Sequence, residues 1–125
     1  MAWRAKILIV DDSELSLEIL QAKLGERYDI VSTNSPGNVL KLARETEPDL
    51  ILCDFDMPEM DGGEVSEALR ADAELRYIPL LFLTALATTG DLNRVHKQLS
   101  GRPAISKDSP IDRIVARIEE LLKVE

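Results

Sequence analysis

Only one cysteine, Cys53, occurs in the 125 residues, so the chain can form no internal disulfide and no thiolate metal cluster. Histidine is as scarce: His96 stands alone, which excludes a multi-histidine metal centre, and its expected place is a helix surface. Glycine and proline number six each, and no stretch is repetitive, of low complexity or linker-like. Positive charge is short. The 15 Lys and Arg against 23 Asp and Glu give −8, opposite to the basic stripe of a nucleic-acid-binding domain. No apolar run nears the ~18 residues that span a bilayer, and no signal-like leader opens the chain. These absences point to one cytoplasmic domain over residues 1–125, with no membrane or nucleic-acid contact and no second domain expected in this chain.

What is present is alternation. Lys6-Ile7-Leu8-Ile9-Val10 is an apolar run ended by Asp11-Asp12, as a strand buried on both faces would be. Ser13 to Leu24 has helical spacing, with Leu17, Leu20 and Leu24 on one face and Leu15 and Ile19 beside it; Asp12 or Ser13 can cap its start. Tyr28 to Ser32 reads as an outer strand, and Ser35-Pro36 as the N-cap and first turn of a second helix that Pro48 stops. Leu50 to Asp54 is a second buried strand, followed by a helix over about Gly63 to Ala71. Pro79 to Leu83 is another strand, ending at Thr84, with a fourth helix expected from about Thr89. Ala104-Ile105-Ser106 makes a short edge strand, and Ser109-Pro110 opens a last helix with an apolar stripe at Ile111, Ile114, Val115, Ile118 and Leu122. That stripe suits either core or, in part, a homodimer face. Trp3 and Cys53 read as packing residues.

Strands alternating with helices imply a parallel sheet with helices on both faces, and sites in such sheets lie at the carboxyl ends of strands. Asp11-Asp12, Asp54, Thr84 and Lys107 all follow or end strands, so the topology gathers them on one edge. Alone, each has an ordinary explanation as a cap, a strand end or a solvated charge. Together, three crowded carboxylates call for a cation, and an oxygen-only donor set suits Mg²⁺. With Lys107 and Thr84 facing it, Asp54 has the surroundings of a carboxylate nucleophile that accepts a phosphoryl group.

The chain resembles the receiver domain of two-component response regulators along essentially its whole length. The motifs that carry this are Ile7-Leu8-Ile9-Val10-Asp11-Asp12, Asp54 followed by Met57-Pro58-Glu59-Met60-Asp61-Gly62, Ile78 to Ala85, and Lys107. The resemblance implies a flavodoxin-like (βα)5 fold with strand order 2-1-3-4-5. It implies that Asp54 is phosphorylated by a histidine kinase or phosphotransfer protein. It also implies that Asp12 and Asp54 ligate Mg²⁺ by side chain, Asp11 through water, and Asp56 by its backbone carbonyl. Thr84 and Lys107 would hold the phosphoryl oxygens. The surface of the fourth helix, fifth strand and fifth helix would then change its affinity for a downstream protein.

Three positions depart from the family pattern. Ala104 stands three residues before Lys107, where the family carries an aromatic that follows the Thr-bearing loop. Asp108 follows Lys107 where Lys-Pro with a cis peptide is common. A cis bond before a non-proline costs roughly 2.5–4 kcal/mol, so a trans peptide and a displaced Lys107 are expected. Leu86 is apolar near the attacking water's path, and Asp56, also a tuning position, is acidic. An interaction module that signals without phosphorylation is the competing reading that these departures motivate. A phosphatase reading of Asp54-Phe55-Asp56 as an Asp-x-Asp nucleophile fits less well, because there the motif follows the first strand. No substrate turnover is expected beyond the domain's own phosphorylation and dephosphorylation.

Overall fold

The computed structural model describes residues 4–55, 57, 62–85 and 102–123. Its strands are β1 (Lys6–Val10), β2 (Asp29–Thr33), β3 (Leu50–Asp54), β4 (Leu80–Thr84) and β5 (Ala104–Ser106). All pair in parallel in the order β2-β1-β3-β4-β5, the flavodoxin-like order expected from the sequence. The most apolar runs take the central places: every residue of β3 and β4 is buried. The helices are α1 (Glu14–Leu24), α2 (Val39–Thr46), α3 (Gly62–Ala71) and a last helix, here α4 (Ile111–Leu122).

The pleat sorts side chains into two cores. Ile7, Ile9, Leu50, Leu52, Leu81 and Leu83 point to one face, where Leu17 and Leu24 of α1 and Ile114, Val115 and Ile118 of α4 cover them. Leu8, Val10, Ile51, Cys53, Leu80 and Phe82 point to the other, against Val39 and Ala43 of α2 and Val65 and Leu69 of α3. Each such aliphatic side chain, once fully buried, stabilises the fold by about 1.5–3 kcal/mol relative to exposure. The stripe on α4 is therefore mainly core, with Ile111 and Leu122 half-buried at its margins.

Several expectations need correction. Leu15 and Ile19 do not flank the inner face of α1; they are 66% and 45% exposed. At 3.6 residues per turn, positions two away from the buried Leu17 lie nearly opposite it. Ser13 caps α1 as expected, accepting from Ser16 N–H at 3.2 Å. Ser35 does not cap with its side chain, and Pro36 opens a single 3₁₀ turn, Pro36–Asn38, ahead of α2. Pro110 opens α4 as expected, taking its N-cap position. The second strand runs one residue later than expected, to Thr33, because Arg27 and Tyr28 N–H groups close the end of α1 on the Leu24 carbonyl. The helix expected from Thr89, with His96 and Leu86, and Trp3 lie outside the described residues. No described helix is long and apolar enough to cross a membrane.

Candidate functional site

Parallel pairing of β1 with β3 sets Val10 opposite Cys53, so the next residues, Asp11 and Asp54, reach the carboxyl edge side by side. Both are almost fully buried, at 1% and 4% exposure, while Asp12 faces solvent. One oxygen from each of Asp11, Asp12 and Asp54 lies within 4.8 Å of the others. Asp11 is held by the chain around it. Its N–H donates to the Thr33 carbonyl at 3.2 Å, and its Oδ1 accepts the Ser13 N–H at 2.9 Å. The turn that caps α1 thus also aims a carboxylate.

Thr84 ends β4 fully buried, opposite Ser106 of β5. Its carbonyl accepts the Lys107 N–H at 2.7 Å, which fixes where the lysine leaves the sheet. Lys107 Nζ then reaches 2.8 Å from Asp11 Oδ2 and 3.3 Å from Asp54 Oδ2. The displacement expected from Asp108 does not occur. The Lys107–Asp108 peptide is trans, and Ser106 turns the chain: its Oγ accepts the Asp108 N–H and its carbonyl the Ser109 N–H, each at 3.1 Å.

Burial alone would lower the pKa of Lys107, but contact with Asp11 and the charges of Asp54 and Asp11 outweigh it and raise the net value. The ammonium thus bridges the two buried carboxylates, and its contact with Asp11 is the closer of the two. Three carboxylates lie within 4.8 Å of one another, two of them on one ammonium, and such a crowded oxygen-only set fits a hard divalent cation. Cys53 is inert beside this site. Burial, then the charges of Asp54 and Asp11, push its thiol far above the usual range, and Sγ donates to the Asp54 carbonyl at 3.3 Å.

The structure therefore brings together Asp11, Asp12, Asp54 and Lys107, with Thr84 at the adjoining strand end. Asp56 lies outside the described residues. Ala104 is half-buried, opposite Phe82, and packs into the core on the α2–α3 side. Sequence reasoning overlooked Phe55 and Gly62. Phe55, next to Asp54, donates its N–H to Leu83 O and accepts the Gly62 N–H at its carbonyl, each at 2.9 Å. The available signal was that Phe55 is one of only two phenylalanines and directly follows Asp54.

The response regulator receiver domain family matches residues 7–119. The polar-differentiation response regulator DivK of Brucella ovis is 38% identical over 117 residues, covering 93% of this chain and 94% of DivK. Among solved structures, the receiver domain of a signal transduction histidine kinase from Syntrophus aciditrophicus superimposes with a TM-score of 0.81 at 31% identity. The match covers 97% of this chain and 95% of that one. A response regulator from Desulfuromonas acetoxidans gives 0.81 at 26% identity, over 97% and 98% of the two chains. With this strand order, the buried acidic edge and these relatives, the chain belongs to the response regulator receiver domains, the phosphoacceptor modules of two-component signalling.

Proposed function

We propose that Asp54 is the phosphoryl acceptor and that Asp11, Asp12 and Lys107 make its phosphorylation feasible. The observation that carries this is the convergence of three carboxylates within 4.8 Å, two of them bridged by a lysine from a distant strand end. An Asp54 carboxylate oxygen attacks phosphorus, and the bond from phosphorus to the donor breaks. The donor leaves with that electron pair, and an acyl phosphate remains on Asp54. Asp12 and Asp54 would hold Mg²⁺ by side chain, Asp11 through water, with the Asp56 carbonyl as a further ligand. Mg²⁺, when bound, offsets the negative charge that carboxylate and phosphoryl oxygens bring together. Lys107 supplies a second positive charge, and Thr84 a hydrogen bond to a phosphoryl oxygen.

The donor is a histidine kinase or phosphotransfer protein. The exposed pair Leu15 and Ile19, one turn apart on α1 just past Asp12, offers it an apolar landing beside the acceptor. The surface of β5 and α4, with the helix expected from Thr89, is the proposed face for a downstream partner. The test is incubation with a small phosphodonor and Mg²⁺. Labelling is expected in the unaltered chain, lost on chelation and lost completely in Asp54→Asn. No labelling with small donors or any kinase would overturn the reading.

A further inference from the structure

Phe55 sits where four separate contacts meet. It is covalently next to Asp54, and its N–H holds the carbonyl of Leu83, the residue before Thr84, at 2.9 Å. Its carbonyl accepts the first N–H of α3, from Gly62, at 2.9 Å. Its ring stands edge-on to Phe82, with centroids 5.7 Å apart and planes at 88°. The packing around it has no slack: a Cβ on Gly62 would lie 2.5 Å from the Phe82 ring and 3.0 Å from the Phe55 Cα.

The contacts continue outward from this knot. The Phe82 N–H donates to the Pro103 carbonyl at 3.0 Å, and Ala104 lies opposite Phe82 in the sheet. One turn along α3 from Gly62, the buried Ser66 hydroxyl accepts from Arg102 Nε at 3.0 Å. Phe55, Gly62, Ser66, Arg102, Pro103 and Phe82 thus close a ring of contacts from the residue after Asp54 round to the approach to β5. Close-packed groups of this kind move between discrete arrangements rather than deforming smoothly.

We infer that Phe55 is a positioning residue: it carries a change of charge at Asp54 to the first turn of α3 and, through Ser66 and Arg102, to the approach to β5. Residue 104, a single methyl group, is not the carrier. The inference rests on Asp54 being the acceptor. Under it, the surface that responds includes α3 and Arg102 as well as the strand-five face.

The experiment follows backbone amide chemical shifts of the full chain on addition of beryllofluoride with Mg²⁺, a stand-in for the phosphoryl group. In the unaltered chain, shifts are expected at Thr84 and Lys107 and also at Gly62, Ser66 and Arg102. Phe55→Leu keeps apolar bulk but removes the ring edge. It should keep the Thr84 and Lys107 response while cutting those at Gly62, Ser66 and Arg102 at least twofold. Phe55→Tyr keeps the ring and should restore them, and Phe82→Leu should repeat the loss from the other side of the contact. An undiminished α3 response in Phe55→Leu and Phe82→Leu would overturn the inference alone. No response at Thr84 or Lys107 in the unaltered chain would overturn the acceptor reading, and this inference with it.

Discussion

The two edges of the sheet handle charge in opposite ways. At the amino edge, charged groups end on partners that satisfy them. Asp49 Oδ2 accepts the Lys6 N–H at 2.8 Å while Asp49 N–H returns a bond to the Lys6 carbonyl, and Lys6 Nζ reaches the Thr46 carbonyl at 2.9 Å. Arg4 donates to the carbonyls of Gly25 and Tyr28, and Asp72 accepts from Glu74 and Leu75 N–H groups and from Arg44. The Glu74 N–H first, with Arg44 and Leu75 added to overcome the opposing effect of desolvation, holds the Asp72 carboxyl below its ordinary range. At the carboxyl edge, buried Asp11 and Asp54 share one lysine, with the Asp12 carboxylate close by. The amino edge is built for stability. The carboxyl edge crowds like charges in a costly arrangement that a cation would relieve.

The largest expected effect comes from removing the lysine of the strained edge. Lys107→Met takes the bridging ammonium from two buried carboxylates and should cost about 2 kcal/mol in metal-free buffer, less than for a fully buried pair because the ammonium is partly solvated. Urea unfolding measures this, and added Mg²⁺ should restore part of the loss. Each edge also supplies one group to the alkaline response. Lys107 has its pKa raised in the folded chain, so its contribution is complete below about 10.4, the unfolded value. It fades as pH rises through the higher folded value. Burial first, then the Glu119 hydrogen bond at the amino edge, push Tyr28 up to about 12, so its contribution is lost between about 10 and 12. Stability should therefore be insensitive to these two groups below pH 10 and fall above it. The fall should be shallower in Lys107→Met and in Tyr28→Phe.

The sharpest test of the contrast is a pair of aspartate replacements. Asp54→Asn removes one crowded charge and leaves the Lys107–Asp11 pair in place. In metal-free buffer it should stabilise the chain by about 1 kcal/mol, and it should remove most of the rise in Tm that Mg²⁺ gives. Asp49→Ala at the amino edge strands the Lys6 N–H and should destabilise by about 1–2 kcal/mol whether or not Mg²⁺ is present. Equal signs for the two replacements would break the comparison.

How much of this was legible beforehand follows the same division. β1, β3 and β5 matched their expected limits because an apolar run ending in Asp or Lys is readable without knowing the rest of the chain. The meeting of Asp11, Asp54 and Lys107 was legible too, since parallel topology fixes which strand ends are neighbours. What escaped depended on contacts between elements. The exposure of Leu15 and Ile19 turns on which residue of α1 faces the sheet, and amphipathic spacing allowed more than one answer. The seating of Lys107 without a following proline depends on Ser106 bonding the backbone beyond it. The knot at Phe55 needed the packed distances to Gly62 and Phe82.

The smallest effect is expected at the amino edge's one strained point. Glu47 ends α2 with φ 49° and ψ 61°, the only described non-glycine residue at positive φ. Pro48 explains why: its ring disfavours the right-handed helical conformation in the residue before it, so the chain leaves α2 through a left-handed turn. The Glu47 N–H still closes the helix on the Ala43 carbonyl at 3.0 Å. Glycine takes this conformation without the clash of a Cβ. Glu47→Gly should therefore raise unfolding stability by about 0.5–1 kcal/mol, after the greater freedom it gives the unfolded chain offsets part of the relieved strain. Because Glu47 lies far from the acidic cluster along the sheet, Asp54 labelling should be unchanged in this variant. A stability gain that also altered labelling would show that the two edges are coupled rather than independent.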